Sequence, residues 1–209
     1  MIEPHRSAPD LVVLHNLRCA GHASTDRLRA LVSPEIVGDV EDLLLTLATR
    51  GLVTHTAGPF GGWGLTDDGR QADAEQIAVE LDRAEARPDV EAAYRDFLEL
   101  NQDVLEICAA WQLRSTDGAT SPNDHTDRVY DGNVLARLAT TDARAQPICA
   151  RLTSRLRRFS HYGTRLATAL ERAKRGEQGL VTDSLDSYHT VWFQLHEDLL
   201  ATLGLTRES

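Results

Sequence analysis

The sequence predicts a mostly α-helical protein with one β-hairpin in its first third. Apolar residues recur at steps of three and four over most of the chain, which is the spacing of amphipathic helices. Residues 52–56 and 63–66 are instead short runs that favour strands. They flank residues 57–62, a segment so rich in Gly and Pro that a hairpin turn is expected there. These patterns predict short helices, the hairpin, and then a long all-helical segment.

The composition is that of a folded chain. Its 209 residues, 42% of them hydrophobic, suffice for one large or two small domains. No apolar run approaches the roughly 18 residues that cross a bilayer, and the N-terminus lacks a signal-peptide pattern, so we expect a cytoplasmic protein without membrane contact. The three cysteines lie far apart and lack CxxC spacing, so Cys19, Cys108 and Cys149 are expected to be buried free thiols.

Three helices are expected before the hairpin. The first covers residues 10–20, where leucines recur on one side. Thr25 is the expected N-cap of the second helix, and Ser33 is the expected N-cap of a third helix over residues 34–50. After the hairpin, Thr66 is expected to cap a fourth helix because two acidic residues follow it, where they favour the positive end of the helix dipole.

This order of elements resembles the winged helix-turn-helix domain of bacterial regulators such as the MarR and PadR-like families. The matching residues are Leu47, the step Arg50-Gly51-Leu52-Val53, and Leu65-Thr66 with Gly69-Arg70. The resemblance implies three helices and a β-hairpin wing over residues 1–86. It also implies a DNA-binding transcriptional regulator that acts as a homodimer.

The resemblance places the third helix in the DNA major groove, so its outward residues bear on whether DNA is bound. The candidate DNA-binding residues are Arg18, Arg27, Arg29, Thr46 and Arg50. The same helix presents four acidic residues, which phosphates would repel: Glu35, Asp39, Glu41 and Asp42. Residues 1–86 hold 7 Arg against 14 Asp and Glu, within a net charge of −10. Binding of double-stranded DNA is therefore disfavoured, and a protein-interaction module is the alternative.

Residues 87–209 are expected to form an antiparallel helical bundle for ligand sensing or dimerisation. A long helix opens at Pro88 and carries an apolar seam in which Asn101 is the one polar member. Such an Asn usually fixes helix register by a hydrogen bond to a partner helix, which we favour over contact with a ligand. The expected last helix, over residues 183–203, is apolar on more than one side.

A ligand pocket for a small-molecule effector is predicted in this bundle. Its candidate residues are polar or aromatic: Asn101, Trp111, Tyr188, His189, Trp192 and His196. His189 and His196 are seven positions apart, about 10 Å along a helix, which is too far for one metal ion. We favour buried, hydrogen-bonded histidines in a packed core over a polar pocket.

Two further segments have competing interpretations. Arginines repeat every seven residues from Arg144 to Arg172, which suggests either an anion-binding face or ion pairs with acidic neighbours; we favour ion pairs. The polar segment 114–127 is expected to be a loop. Its Asn123, Asp124 and His125 resemble metal ligands, but helix capping is the favoured interpretation because a helix follows at once.

No catalytic motif is present, so an enzyme is not expected, and nothing in the sequence indicates a cofactor or a metal site. A helical domain behind a winged helix is also similar in architecture to the GntR-type regulators, although their DNA-binding signature is absent. The segment SYHTVWFQLHEDLL is similar to one found near or joined to phosphoenolpyruvate-utilising swivelling domains. That similarity implies, as the alternative function, a regulatory module associated with such phosphohistidine enzymes.

Overall fold

The computed structural model describes residues 3–32, 38–58, 61–116 and 119–206, and these are mostly helical. In chain order the elements are α1 (Pro9–Ala20), α2 (Thr25–Leu31), α3 (Val40–Thr49), β1 (Val53–Thr56), β2 (Gly62–Leu65), α4 (Asp67–Arg83), α5 (Arg87–Gln112), β3 (Leu113–Thr116), β4 (Ala119–Pro122), α6 (Arg128–Arg155), a 3₁₀ turn (Arg157–Phe159), α7 (Ser160–Lys174), α8 (Gly179–Thr182) and α9 (Tyr188–Leu203). Within the described residues, no helix is long and apolar enough to cross a membrane.

The chain divides into two compact units. Unit 1 consists of Met1–Val90, Ser154–Arg158 and Gln194–Ser209. Unit 2 consists of Glu91–Thr153 and Phe159–Phe193. Helices α5, α6 and α9 therefore contribute residues to both units.

The first three helices and the hairpin of unit 1 share one apolar core. Its fully buried members include Leu14 and Leu17 of α1, Leu28 of α2, and Leu44 and Leu47 of α3. These leucines lie at the helical spacing seen in the sequence, so each helix turns one apolar face inward. The predicted helical faces of this region are confirmed.

Two helix starts differ from the prediction. Ser24, not Thr25, caps α2, because its hydroxyl accepts a hydrogen bond from the amide of Arg27 at 3.1 Å. Asp39 caps α3 through its carboxylate, which accepts from the amides of Glu41 and Asp42. The expected cap at Ser33 lies outside the described residues. Asp39 is thus a capping residue of α3 rather than one of its outward-facing helical residues.

The hairpin formed by β1 and β2 extends beyond its two strands. The strands are antiparallel, with Val53 opposite Leu65 and Thr56 opposite Gly62. Ala23, which precedes α2, forms an antiparallel bridge to Trp63 through two backbone hydrogen bonds of 2.8 and 3.0 Å. The short link between α1 and α2 therefore pairs with the hairpin at this one position.

The hydroxyl of Thr66 caps α4 as predicted, accepting from the amide of Gly69 at 3.0 Å. Gly69 packs so closely on the preceding chain that an added Cβ would lie 1.9 Å from the carbonyl oxygen of Leu52. The "LT..GR" sequence after the hairpin is explained by these two contacts.

Unit 2 contains a second hairpin that the sequence analysis expected to be a loop. Strands β3 and β4 pair antiparallel, with Leu113 opposite Pro122 and Ser115 opposite Thr120. The expected capping of the next helix is confirmed, because the carboxylate of Asp127 accepts from the amides of Val129 and Tyr130. Helix α6 then continues through Pro147 to Arg155, and the 3₁₀ turn Arg157–Phe159 separates it from α7.

Candidate functional site

The arginines predicted to contact DNA all lie in unit 1, and three of them are paired with carboxylates. Arg29 donates to Asp26 at 2.9 Å and to Glu41 at 3.0 Å. The other two pairs are Arg50 with Asp10 at 3.5 Å and Arg18 with Asp73 at 3.6 Å. Arg29, Arg50 and Arg18 retain substantial exposure, and Arg27 is half-buried.

The exposed face of α3 is acidic at its start and neutral further on. Glu41, Asp42, Leu45, Thr46 and Thr49 are all exposed. The hydroxyl of Thr46 donates to the backbone carbonyl of Asp42 at 2.9 Å, so that donor is already engaged within the helix. The hairpin adds no positive charge, since residues 51–69 contain neither Lys nor Arg.

Three of the six residues of the predicted ligand pocket are packed together in unit 2, namely Asn101, Tyr188 and Trp192. The indole nitrogen of Trp192 donates to the side-chain oxygen of Asn101 at 3.0 Å, which is the interhelical hydrogen bond expected for Asn101. Phe97 stacks on Trp192 with ring centroids 4.3 Å apart. Tyr188 is fully buried and donates its hydroxyl to Asp142 at 3.2 Å. Burial and the nearby carboxylate of Asp142 raise the pKa of Tyr188 above its usual range.

The histidines of the last helix are half-buried rather than fully buried as the favoured interpretation expected. Helix α9 begins at Tyr188, and its buried seam consists of Tyr188, Trp192, Leu195 and Leu199. His189 and His196 therefore lie beside the buried seam rather than in it.

Trp111 lies instead beside the second hairpin, in a small polar cluster. Its ring packs on that of His125 with centroids 4.5 Å apart, and its carbonyl accepts from Asn123 at 3.0 Å. Asp131 accepts from Asn123 at 2.9 Å and contacts the Nδ1 atom of His125 at 3.0 Å. His125 adopts a positive φ of 57°, a strained backbone conformation for this residue type. Trp111, His125 and Asp131 line a cavity of about 530 Å³ together with Arg128, Lys174 and Arg175.

Each of the five arginines in the seven-residue repeat is paired with a carboxylate. The partners are Asp103 for Arg144, Asp96 for Arg151, Glu80 and Asp198 for Arg158, Asp186 for Arg165, and Glu177 for Arg172. The favoured interpretation of this repeat as ion pairs is confirmed. Arg158 differs from the other four because its side chain and both of its partners are buried.

The sequence analysis did not identify a buried ionic network in unit 1, which we call the His15–Arg158 network. Its members are His15 of α1, Asp73 and Glu80 of α4, Arg158 of the 3₁₀ turn, and Asp198 and Thr202 of α9, none more than 6% exposed. The Nδ1 atom of His15 lies 3.0 Å from Asp73, and its Nε2 atom lies 3.0 Å from Asp198.

Arg158 completes the network through all three parts of its guanidinium. Its Nε atom donates to Glu80 at 2.8 Å, one terminal nitrogen to Asp198 at 2.5 Å, and the other to the hydroxyl of Thr202 at 2.7 Å. Two cationic groups thus face three buried carboxylates. This closes three helices and one turn of unit 1 around a common polar centre.

The electrostatics of this centre favour charged forms. Burial alone would lower the pKa of His15, but the carboxylates of Asp198 and Asp73 hold that pKa well above its usual value. Burial would raise the pKa of Asp198, yet Arg158 and His15 lower it below its usual range. Burial raises the pKa of Cys19, so its thiol is protonated at neutral pH.

Compared with protein-family models, curated proteins and solved structures, the chain matches none of them.

Proposed function

We propose that this protein is a winged-helix regulator in which unit 1 contacts double-stranded DNA. The observation that carries the proposal is the order of three helices and a hairpin, with Ala23 bridged to Trp63. This arrangement leaves the outer face of α3 exposed, as a helix that enters the major groove requires.

The paired arginines remain available for phosphate contacts. Ion pairs between exposed groups contribute little stability, because water already solvates both charges. A phosphate can therefore replace the carboxylate partner of Arg29 or Arg50 at small cost, whereas the partner of Arg18 is the buried Asp73 and is costlier to leave without its cation. The carboxylates that are left behind weaken the complex, so we expect modest affinity and strong dependence on salt.

Unit 2 supplies dimerisation and effector binding in this proposal. Leu98 and Leu105 lie seven positions apart on α5 and are 44% and 45% exposed, which suits a helix-to-helix contact between two copies. The effector would enter unit 2 at the cavity beside Trp111, one of the predicted aromatic residues. Three buried free cysteines agree with a reducing compartment such as the cytoplasm.

A second candidate is a module that binds another protein through the same face of α3. The observation that favours it is the combination of Glu41, Asp42 and the 53% exposed Leu45 on that face. An apolar residue beside carboxylates suits a basic protein surface better than a phosphate backbone. In this second candidate function, the protein partner would be associated with phosphoenolpyruvate-utilising enzymes.

Salt-dependent binding to a random duplex separates the two candidates. If Arg18, Arg27, Arg29 and Arg50 each neutralise one phosphate, the slope of log affinity against log salt is about −3 to −4 per protomer. Fluorescence anisotropy with a labelled duplex measures this slope. The double variant R27E/R29E should reduce its magnitude by about 2, whereas R137E, at an exposed position of α6 in unit 2, should leave it unchanged.

The two outcomes against the DNA proposal are distinct. Absence of any binding at low salt would refute it. A second result would favour the protein-contact candidate, namely that the variant E41K/D42K gains salt-dependent binding that the unaltered protein lacks. The surface would then have a shape that fits DNA but a native charge that prevents binding.

A further inference from the structure

Three different metal-ligating side chains meet in unit 1, namely His15 and Asp198 of the His15–Arg158 network and the neighbouring Cys19. His15 and Cys19 lie four positions apart on α1, so both project from the same face of that helix. Asp198 of α9 approaches the same point, and one candidate ligand atom from each of the three residues lies within 4.8 Å of the others. All three side chains are buried.

We propose that His15, Cys19 and Asp198 form a binding site for a divalent transition-metal ion of the zinc type. Imidazole, thiolate and carboxylate are the ligands that Zn²⁺ uses in proteins, and three protein ligands leave a fourth position for water. The proposal does not depend on whether unit 1 binds DNA.

The second contact of His15 supports this assignment. Its Nε2 atom faces Asp198, while Asp73 holds its Nδ1 atom at 3.0 Å from the opposite side. A metal-bound histidine usually donates its other ring nitrogen to a carboxylate, which fixes the tautomer and the ring orientation. Asp73 is therefore already placed to orient His15 toward an ion at Nε2.

Histidine binds a metal ion as the neutral imidazole and cysteine binds it as the thiolate, so an ion at this site would displace protons to solvent. The ion pair between Arg158 and Glu80 uses none of the proposed ligand atoms and can remain in place.

The ion would share the Oδ1 atom of Asp198 with Arg158 and Thr202, which both donate to it, and the ligand atoms of His15 and Asp198 would have to move apart. Ligand atoms around a tetrahedral zinc ion lie about 3.3 to 3.7 Å apart, given bond lengths of about 2.0 to 2.3 Å. The Nε2 atom of His15 and the Oδ1 atom of Asp198, now 3.0 Å apart as a hydrogen bond, would separate by a few tenths of an ångström. The sulfur of Cys19, which lies within 4.8 Å of the ligand atoms of His15 and Asp198, would move closer to both.

Cobalt(II) titration of the intact protein tests the proposal, because a cobalt–thiolate bond gives a charge-transfer absorption that other ligands do not give. We expect this absorption at one ion per chain, its loss on addition of one equivalent of zinc, and release of protons when zinc binds. The chain provides matched controls: Cys108 and Cys149 are also buried free thiols, but they lie in unit 2.

The variants separate ligation from mere destabilisation. C19S should abolish the absorption, whereas C108S should retain it with the affinity of the unaltered protein. The double variant C108S/C149S keeps Cys19 as the only thiol and should still show the absorption, so the result does not depend on C19S remaining folded. D73N should weaken binding about 10- to 100-fold without removing the absorption, as expected for a group that orients a ligand.

Three results would overturn the proposal. The first is that the unaltered protein shows no cobalt–thiolate absorption. The second is that the C108S/C149S protein lacks this absorption although circular dichroism shows that the protein is folded. The third is that a folded C19S protein binds cobalt(II) as tightly as the unaltered chain. Native mass spectrometry with zinc alone provides the stoichiometry independently.

Discussion

Arg158 and Arg151 occupy equivalent positions in the seven-residue arginine repeat, yet their removal should have very different costs. The side chain of Arg158 is 3% exposed and donates to Glu80, Asp198 and Thr202. Changing Arg158→Leu removes the guanidinium from two buried carboxylates, Glu80 and Asp198, and leaves Asp198 with His15 as its cationic neighbour. Breaking a buried ion pair in this way costs about 3–5 kcal/mol. Arg151 pairs with Asp96 near the surface, at 40% and 46% exposure, so Arg151→Leu should cost about 0–1 kcal/mol.

Urea unfolding followed by far-ultraviolet circular dichroism measures this difference. We expect the unfolding midpoint of R158L to fall well below that of R151L, with a similar slope if the two proteins unfold in the same manner. R158K should lie between them, because lysine keeps the charge but cannot reproduce the three-pronged set of donors. Equal losses for R158L and R151L would refute the claim that the network is a buried ionic centre.

Two further predictions concern a glycine contact and a buried carboxylate. G69A should destabilise unit 1 by about 2 kcal/mol or more, because its new Cβ would lie 1.9 Å from the Leu52 carbonyl. The control is G132A, which lies inside α6 with no atom within 4 Å of its added Cβ. It should instead stabilise the protein by roughly 0.5–1 kcal/mol. Similar changes in melting temperature for G69A and G132A would contradict both predictions. Burial raises the pKa of Asp142, although Gln146 and Tyr188 donate hydrogen bonds to its carboxylate. The folded state therefore favours the protonated acid. The protein loses stability as the pH rises from the ordinary Asp pKa near 4 to the raised pKa of the folded state. D142N should therefore match the unaltered protein in acid and exceed it by up to about 1 kcal/mol near neutral pH, and a gain that is independent of pH would contradict this explanation.

Local patterns were sufficient to predict the helical faces and the first hairpin. Leu14, Leu28 and Leu44 reveal their burial by spacing alone, and the Gly-rich turn before Trp63 permits only a hairpin. The second hairpin was missed because its strands are built from Ser, Thr and Ala rather than from large apolar residues. Its sequence is that of a loop, and only the pairing of Ser115 with Thr120 and its neighbours reveals strands.

The buried ionic network was beyond sequence patterns for a different reason. The repeat predicts that Arg158 shares the surface of Arg144 and Arg151, but α6 ends at Arg155 and Arg158 lies on a 3₁₀ turn. The change of helix type redirects the side chain, so the period no longer holds. His15 has the same difficulty, since its two partners lie 58 and 183 positions away in the chain. A polar His15 among the leucines of α1 was the one local sign of a buried polar contact.

These long-range contacts lead to a prediction about the boundary expected near residue 86. Unit 1 includes residues 154–158 and 194–209, which supply Arg158 and Asp198. A fragment of residues 1–86 would keep His15, Asp73 and Glu80 but lose both partners, leaving a buried histidine and two carboxylates to be solvated or neutralised. We expect the fragment to unfold at a markedly lower temperature than the full chain.

The cause of that loss can be tested by neutralising the orphaned carboxylates. Glu80→Gln in the fragment should recover part of the stability, because an amide without a partner costs less to bury than a charge. The same substitution in the full chain should be destabilising, since it removes the partner of Arg158. This reversal of sign is specific to the network. A fragment that melts cooperatively at the temperature of the full chain, with E80Q harmful in both, would show that residues 1–86 fold as a complete domain without the distant segments.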